Sequence, residues 1–197
     1  MTSPRRLWLL AVLLLSGTVQ AGELFPQPPE LQRDVDFWLA IFTQYSTDEG
    51  VLHDNRNLGI VYARLDMPEK TPRRERNRKV SARRKELQAV LRTLASGKRS
   101  DLSAEEARVL ALWPADVSNE ELRAAAGRIR WQHGLRDRFR EGLERSGRWR
   151  DYVNEQLTAL GVPTDLAALP HVESSYNPNA RSHVGASGIW QFTRSTG

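Results

Sequence analysis

Two serines, each three residues ahead of a glutamate and each leading an amphipathic stretch, do most to restrict the fold of this chain. Ser103 with Glu106, and Ser118 with Glu121, read as capping boxes. In that pattern the serine hydroxyl satisfies a free N–H at the helix start, and the glutamate reaches back to the serine N–H. Each opens a helix, the first ended by Trp113-Pro114 and the second running to Gly134. Ahead of them, after the Pro-rich lead at Pro26, Pro28 and Pro29, the spacing predicts a helix over 30–45. Its apolar face is Leu31, Val35, Trp38, Phe42 and Tyr45, whose aromatics read as core and not as a ligand platform. Another helix runs through a basic segment toward Leu94, burying Leu87, Val90, Leu91 and Leu94, and stops at Gly97. Helices are also predicted over 135–146, stopped by Gly147, and over 149–160, with Tyr152, Val153, Gln156 and Leu157 at matching spacing. The second of these ends at Gly161-Val162-Pro163. Thr164 then caps a last helix that delivers Glu173, with Pro170 bending or breaking its final turn. The only strand-like passage is 51–62, where Asp54-Asn55 and Asn57 favour the turn of a small hairpin. The expected class is mainly α.

Export bounds the partners. Arg5-Arg6 form a basic n-region, 7–15 is a short apolar run, and Val19-Gln20-Ala21 presents small residues where a signal peptidase reads. The run is too short to span a bilayer of about 30 Å as a helix, which favours a cleaved signal over 1–21 above an uncleaved anchor. With no Cys there is neither a lipobox thiol nor a disulfide framework. Sec-type export to the periplasm is the expectation, with association to the cell envelope. The formal charge is +5, and loss of Arg5 and Arg6 with the signal leaves +3. Cations concentrate in 70–99, against Glu75 and Glu86 alone. Such a block in a cytoplasmic chain suggests nucleic acid, a reading the signal argues against. An exported chain meets anionic peptidoglycan or lipid, so 70–99 is either an anionic-surface contact or a solvated basic helix.

The chemistry-bearing stretch is PHVESSYNPNARSHVGASGIWQFTRST, from Pro170 to Thr196. A helical approach ends in Glu173-Ser174, a polar loop turns at Asn177-Pro178, and the small residues Gly185-Ala186-Ser187-Gly188 lead into Ile189-Trp190-Gln191. Glu-Ser, Asn-Pro and Gly-Ile-Trp-Gln in this order and spacing resemble the start of the catalytic domain of family 1 lytic transglycosylases, the SLT or lysozyme-like group. The Trp suits the transglycosylase D type. His171-Val172-Glu173 imitates the His-x-Glu of zinc deaminases, but that chemistry needs Cys ligands. His171 and His183 therefore read as a helix-end and a loop residue, with no metal and no cofactor expected.

The resemblance implies cleavage of the β-1,4 bond between N-acetylmuramic acid and N-acetylglucosamine in peptidoglycan, with a 1,6-anhydro ring in the product. Glu173 is the implied acid and then the base toward the sugar's C6 hydroxyl. An acid working at neutral pH needs a raised pKa. Two expected causes are the negative end of the helix dipole and burial under the following loop. Ser174 is expected to hold Glu173 and its loop, Ser182 to sit near the muramoyl sugar, and Gln191 to hydrogen-bond the glycan. Gly185 and Gly188 would admit close backbone approach, and Tyr176 either lines the groove or packs in the core. No second carboxylate follows Glu173, as the family's use of the substrate acetamido group implies. The organisation expected is a signal peptide over 1–21, an N-terminal helical region over 22–147 and the beginning of the lysozyme-like domain over 148–197. On that basis the chain ends early in the catalytic domain, and as given it is expected to be inactive. The competing reading is a non-catalytic periplasmic peptidoglycan-binding or scaffold protein.

Overall fold

The computed structural model describes residues 24–196, so the signal-peptide expectation lies outside the described residues. A 3-10 turn, Pro29–Leu31, leads into α1 (Gln32–Thr43). Strands β1 (Glu49–Asp54) and β2 (Val61–Asp66) precede α2 (Arg73–Ala95), α3 (Ala104–Leu110) and α4 (Asn119–Arg128). Strand β3 (Ile129–His133) follows, then α5 (Arg136–Ser146), α6 (Arg150–Ala159), a 3-10 segment Thr164–Ala168, and α7 (Leu169–Glu173). The class is mainly α, as expected, with one small sheet.

The sheet has the order β2-β1-β3, antiparallel throughout, and β1 at its centre is buried along its whole length. The expected hairpin is the β1–β2 pair. Its turn forms because the Asp54 carboxylate accepts the N–H groups of Arg56 at 2.8 Å and Asn57 at 3.0 Å. The third strand corrects the expectation of a helix running to Gly134. Helix α4 ends at Arg128, and Ile129–His133 pairs with the open edge of β1 instead. Satisfying that row of buried backbone groups outweighs local helix propensity. The sequence does alternate there, with Ile129 buried and Arg130 exposed.

Helix α2 buries Val80, Leu87, Leu91 and Leu94 against α3, α4 and the sheet, with Val90 only half-buried. Each fully buried Leu contributes about 1.5–3 kcal/mol. The Ser103–Glu106 capping box is complete. At α4 only half of the second box forms. Ser118 accepts the N–H of Glu121, but the Glu121 carboxylate turns to Arg128 at 2.5 Å. Arg128 also meets the fully buried Asp54 at 3.0 Å, and the Tyr62 hydroxyl donates to that same carboxylate at 3.3 Å. Burial, then the Asp54 charge, push the Tyr62 hydroxyl far above its usual range.

Helix α1 departs from the expected face. It buries Phe37 and Ile41 against Val51, while Leu31, Val35 and Trp38 of the predicted stripe stay exposed. Phe42 and Tyr45 are half-buried. The helix is apolar on two sides, and the sheet takes the Phe37–Ile41 side. The predicted side forms an apolar groove with Phe139 of α5 and with His171 and Val172 of α7. The final segments correct two further expectations. Thr164 opens a 3-10 segment and caps nothing, and Pro170 stands in the first turn of the five-residue α7, where its missing N–H costs no hydrogen bond. Of the α6 stripe, only Val153 is buried, and Tyr152 is 60% exposed.

Candidate functional site

Glu173 is the last residue of α7, at the end of the helix as expected. The loop that follows does not cover it: its side chain is exposed, so the expected burial is absent. No hydrogen bond or ion pair to it is found among the described residues. What is fixed is the turn beneath it. Ser175 and Tyr176 both hold left-handed backbone angles, φ 52 and 54. Such angles cost an L-residue roughly 1–2 kcal/mol each, so the surroundings must impose them.

Four contacts do so. The Ser174 hydroxyl donates to the Ile189 carbonyl at 2.8 Å, tying the helix end to the loop fifteen residues on. The Tyr176 N–H returns to the Pro170 carbonyl at 3.1 Å. Its ring is 1% exposed, packs edge-on to His171 at 4.6 Å, and its hydroxyl donates to the Ala167 carbonyl. Tyr176 thus takes the core alternative and does not line a groove. From α5, Arg145 Nε donates to the Ser175 carbonyl at 3.0 Å. Gly142 makes room for this, because a Cβ there would lie 3.0 Å from the Ser175 Cβ. Arg145 and Gly142 were not singled out by the sequence reading. The available signal was the pair Gly142 and Ser146, small residues four apart on one helix face and both buried.

The loop satisfies its own polar groups. Asn177 Oδ1 accepts the Asn179 N–H at 3.0 Å around Pro178. Ser182 and Ala186 exchange backbone and hydroxyl bonds of 2.9 and 3.0 Å. The Gln191 amide donates to the Gly188 carbonyl at 2.8 Å and to the Ala180 carbonyl at 3.3 Å. The polar groups assigned to glycan contact are therefore partly used inside the loop. Gly185 and Gly188 have φ 87 and 77, and a Cβ at either would meet open space. They are glycine for backbone angle, not for close approach. The rings of Trp190 and Phe192 stack at 6.5 Å, with Phe192 exposed.

His171 lies between Phe139 at 5.5 Å and Tyr176 at 4.6 Å, and burial holds its imidazole below the usual range. Its Nδ1 is buried without a hydrogen-bond partner. Flanked by these two rings, it is a helix-end residue, as expected. His183 is exposed in the loop. The arrangement brings Glu173, Ser174 and the Ile189–Gln191 passage together on one locked turn. It offers an accessible carboxyl at a helix end that Ser174 ties to the loop carrying the stacked Trp190 and Phe192 rings.

Residues 151–197 match the family model described as Transglycosylase SLT domain. Over 75 residues the chain is 33% identical to the membrane-bound lytic murein transglycosylase D of Escherichia coli (strain K12), covering 31% of this chain and 17% of that protein. The protein of the same name from E. coli O6:H1 matches with the same figures. A protein of Alteromonas sp. (strain M-1), named for tributyltin chloride resistance, is 40% identical over 42 residues, 21% of this chain and 20% of its own length. The chain thus spans 17–20% of the length of the curated relatives it matches. No solved structure matches it. The SLT match covers Glu173 and every loop residue described above. Arg145 and Gly142, which hold the Ser175 turn, lie just ahead of it. No described helix is long and apolar enough to cross a membrane.

Proposed function

We propose that the Glu173 turn is the acid-bearing part of a peptidoglycan lytic transglycosylase. The reaction is cleavage of the β-1,4 bond between N-acetylmuramic acid and N-acetylglucosamine with 1,6-anhydro ring closure. The observation that carries this reading is the position of Glu173 within the SLT match, at the free end of α7 on a turn locked from four sides. In the forward step the Glu173 carboxyl gives its proton to the glycosidic oxygen as that bond breaks. The resulting carboxylate then takes the proton of the sugar's C6 hydroxyl, whose oxygen closes on C1, so no water is consumed. A group asked to give and then take a proton has to stay in place between the two steps. Ser174, through its bond to the Ile189 carbonyl, and Arg145, through Ser175, supply that constraint.

Gly188 and Gln191 in this reading contribute to the glycan-contacting loop, with Gln191 spanning the Gly188 and Ala180 carbonyls. Ser182 closes the adjoining turn. In this reading 1–21 directs export to the periplasm, 22–147 is an N-terminal helical region, and 148–197 begins the catalytic domain acting at the cell wall. The test is Glu173→Gln, which keeps shape but cannot deliver a proton. In a form carrying the complete catalytic domain, release of 1,6-anhydro muropeptides from sacculi, followed by mass spectrometry, should drop by about 10²–10⁴-fold, with glycan binding and circular dichroism unchanged. Undiminished product from the purified Gln variant would sink the assignment.

A further inference from the structure

Apart from Arg73, Arg76 and Arg84, which lie off the exposed row and also lack an ion pair among the described residues, helix α2 carries two sets of charge with different fates. On one side Lys79 pairs with Glu75 at 3.0 Å, and Arg83 pairs with Glu86 at 2.8 Å and with Glu105. On the other, Arg74, Arg78, Lys85 and Arg92 all stand exposed. At 3.6 residues per turn these four fall within about 40° of a single line along the helix. No ion pair to any of them is found among the described residues. Their row is about 27 Å long at the α-helical rise. Arg78, Lys85 and Arg92 recur at seven-residue intervals, about 10.5 Å apart. Ser81, Ala82 and Ala89, small and exposed, stand beside the row, so no bulky side chain blocks it. Leu87, Leu91 and Leu94 seat the opposite face in the core, which holds the row straight and fixed in space.

We propose that this row is a second contact for the peptidoglycan strand, carried by α2 and separate from the Glu173 turn, and that it takes the carboxylates of the stem peptides. The inference rests on the reading of peptidoglycan as the substrate. A guanidinium presents a planar fork that matches a carboxylate in two parallel hydrogen bonds. Cations spaced along one straight line suit a linear polymer that bears one acidic peptide on each disaccharide. A bilayer surface is the poorer fit. The row is narrow where a membrane is broad, and no large apolar side chain flanks it to enter the interface. Because the four cations are not neutralised within the fold, their field reaches solvent and favours capture of an anionic strand before any close contact forms.

The experiment is co-sedimentation of the purified protein with sacculi. Screening shortens from about 10 Å at 0.1 M salt to about 3 Å at 1 M, so the wild type should be retained at the lower concentration and released at the higher. Replacing the row by R74Q, R78Q, K85Q and R92Q together should weaken binding about tenfold at low salt and flatten the salt dependence. The charge-preserving set R74K, R78K and R92K keeps the point charges but loses the planar forks, so its binding should fall between that of wild type and that of the four-Gln variant. A control pair on the neutralised side, E75Q with K79Q, should bind as wild type does. Sacculi stripped of stem peptides should hold the wild type no better than the four-Gln variant. Four results would each overturn the proposal: equal retention of the four-Gln variant, equal loss in the control pair, undiminished binding to stripped glycan, or tighter binding to phosphatidylglycerol vesicles than to sacculi. Product analysis keeps the two readings apart. In a form carrying the complete catalytic domain, the four-Gln variant should still release anhydro-muropeptides at saturating sacculi, while Glu173→Gln should still sediment. Binding that follows the row, with undiminished anhydro product from Glu173→Gln in that form, leaves the row standing and removes the acid assignment.

Discussion

Ser175 and Tyr176 carry the unusual cost in this molecule, two successive non-glycine residues in left-handed backbone. Their geometry survives because α5 approaches closely at Gly142 and donates from Arg145. Gly142→Val should therefore destabilise the protein by about 1–3 kcal/mol through overpacking against Ser175. Alanine is a weaker probe, since its better helix propensity, about 1 kcal/mol, offsets part of the clash. Gly127 in α4 is the internal control: a Cβ there meets nothing within 4 Å, so Gly127→Ala should stabilise by about 0.5–1 kcal/mol. Urea denaturation of the variants decides it, and a neutral Gly142→Val would show that the approach is soft. At this scale the sequence made the helix end at Glu173 legible, because order and spacing carry the motif. It did not reveal the left-handed pair, since those angles come from contacts with residues about thirty positions away. Ser182 and Gln191 were read as reaching outward. Short polar side chains in a tight loop satisfy the nearest backbone carbonyl or N–H first, and theirs do.

Helix α1 shows why a periodic stripe identifies a helix better than it identifies the helix's buried side. Leu31, Val35, Trp38 and Phe42 are correctly spaced, yet Phe37 is 5% exposed and Trp38 41%. The two sides compete for the sheet, and Phe37 with Ile41 fits the surface that β1 presents at Val51. Phe37→Ala should cost about 3–5 kcal/mol, and Trp38→Ala clearly less, as read by thermal unfolding of both variants. The reverse order would mean that the helix is rotated relative to the arrangement described. Strand β3 escaped for a related reason. The sequence from Ile129 to His133 is compatible with helix, and only the open edge of β1, itself a product of folding, makes the extended form preferable. By contrast, the Ser103 cap and the Leu87, Leu91 and Leu94 stripe were legible because each rests on contacts within a few residues or on one unambiguous face.

Across the whole molecule, stability should decline with acid in two stages. His53, His133 and His171 are each held below the ordinary value of 6.5, in every case first by burial. As pH falls through 6.5 the unfolded chain takes up protons that the folded one refuses, so stability drops from neutrality downward. The carboxylates act lower. Glu105 is brought down to about 2, chiefly by its hydrogen bonds from Arg108. Asp137 is lowered first by the Thr47 N–H. The stability they contribute is present above their unfolded values and is lost as pH falls through the folded ones. A midpoint temperature that falls between pH 7 and 5, and falls again below pH 4, is the expected profile. A flat stretch from 7 to 5 would contradict the lowered values of these three histidines.

The SLT match begins at 151, and the domain expected from the sequence begins at 148, yet the residues that grip Ser175 stand at 142 and 145. A graft that moved only the matched stretch onto an unrelated host would transplant Glu173 and leave behind the residues that latch its turn. Recombination, natural or in the laboratory, therefore has its workable crossover upstream of α5, and homology alone marks the wrong place to cut.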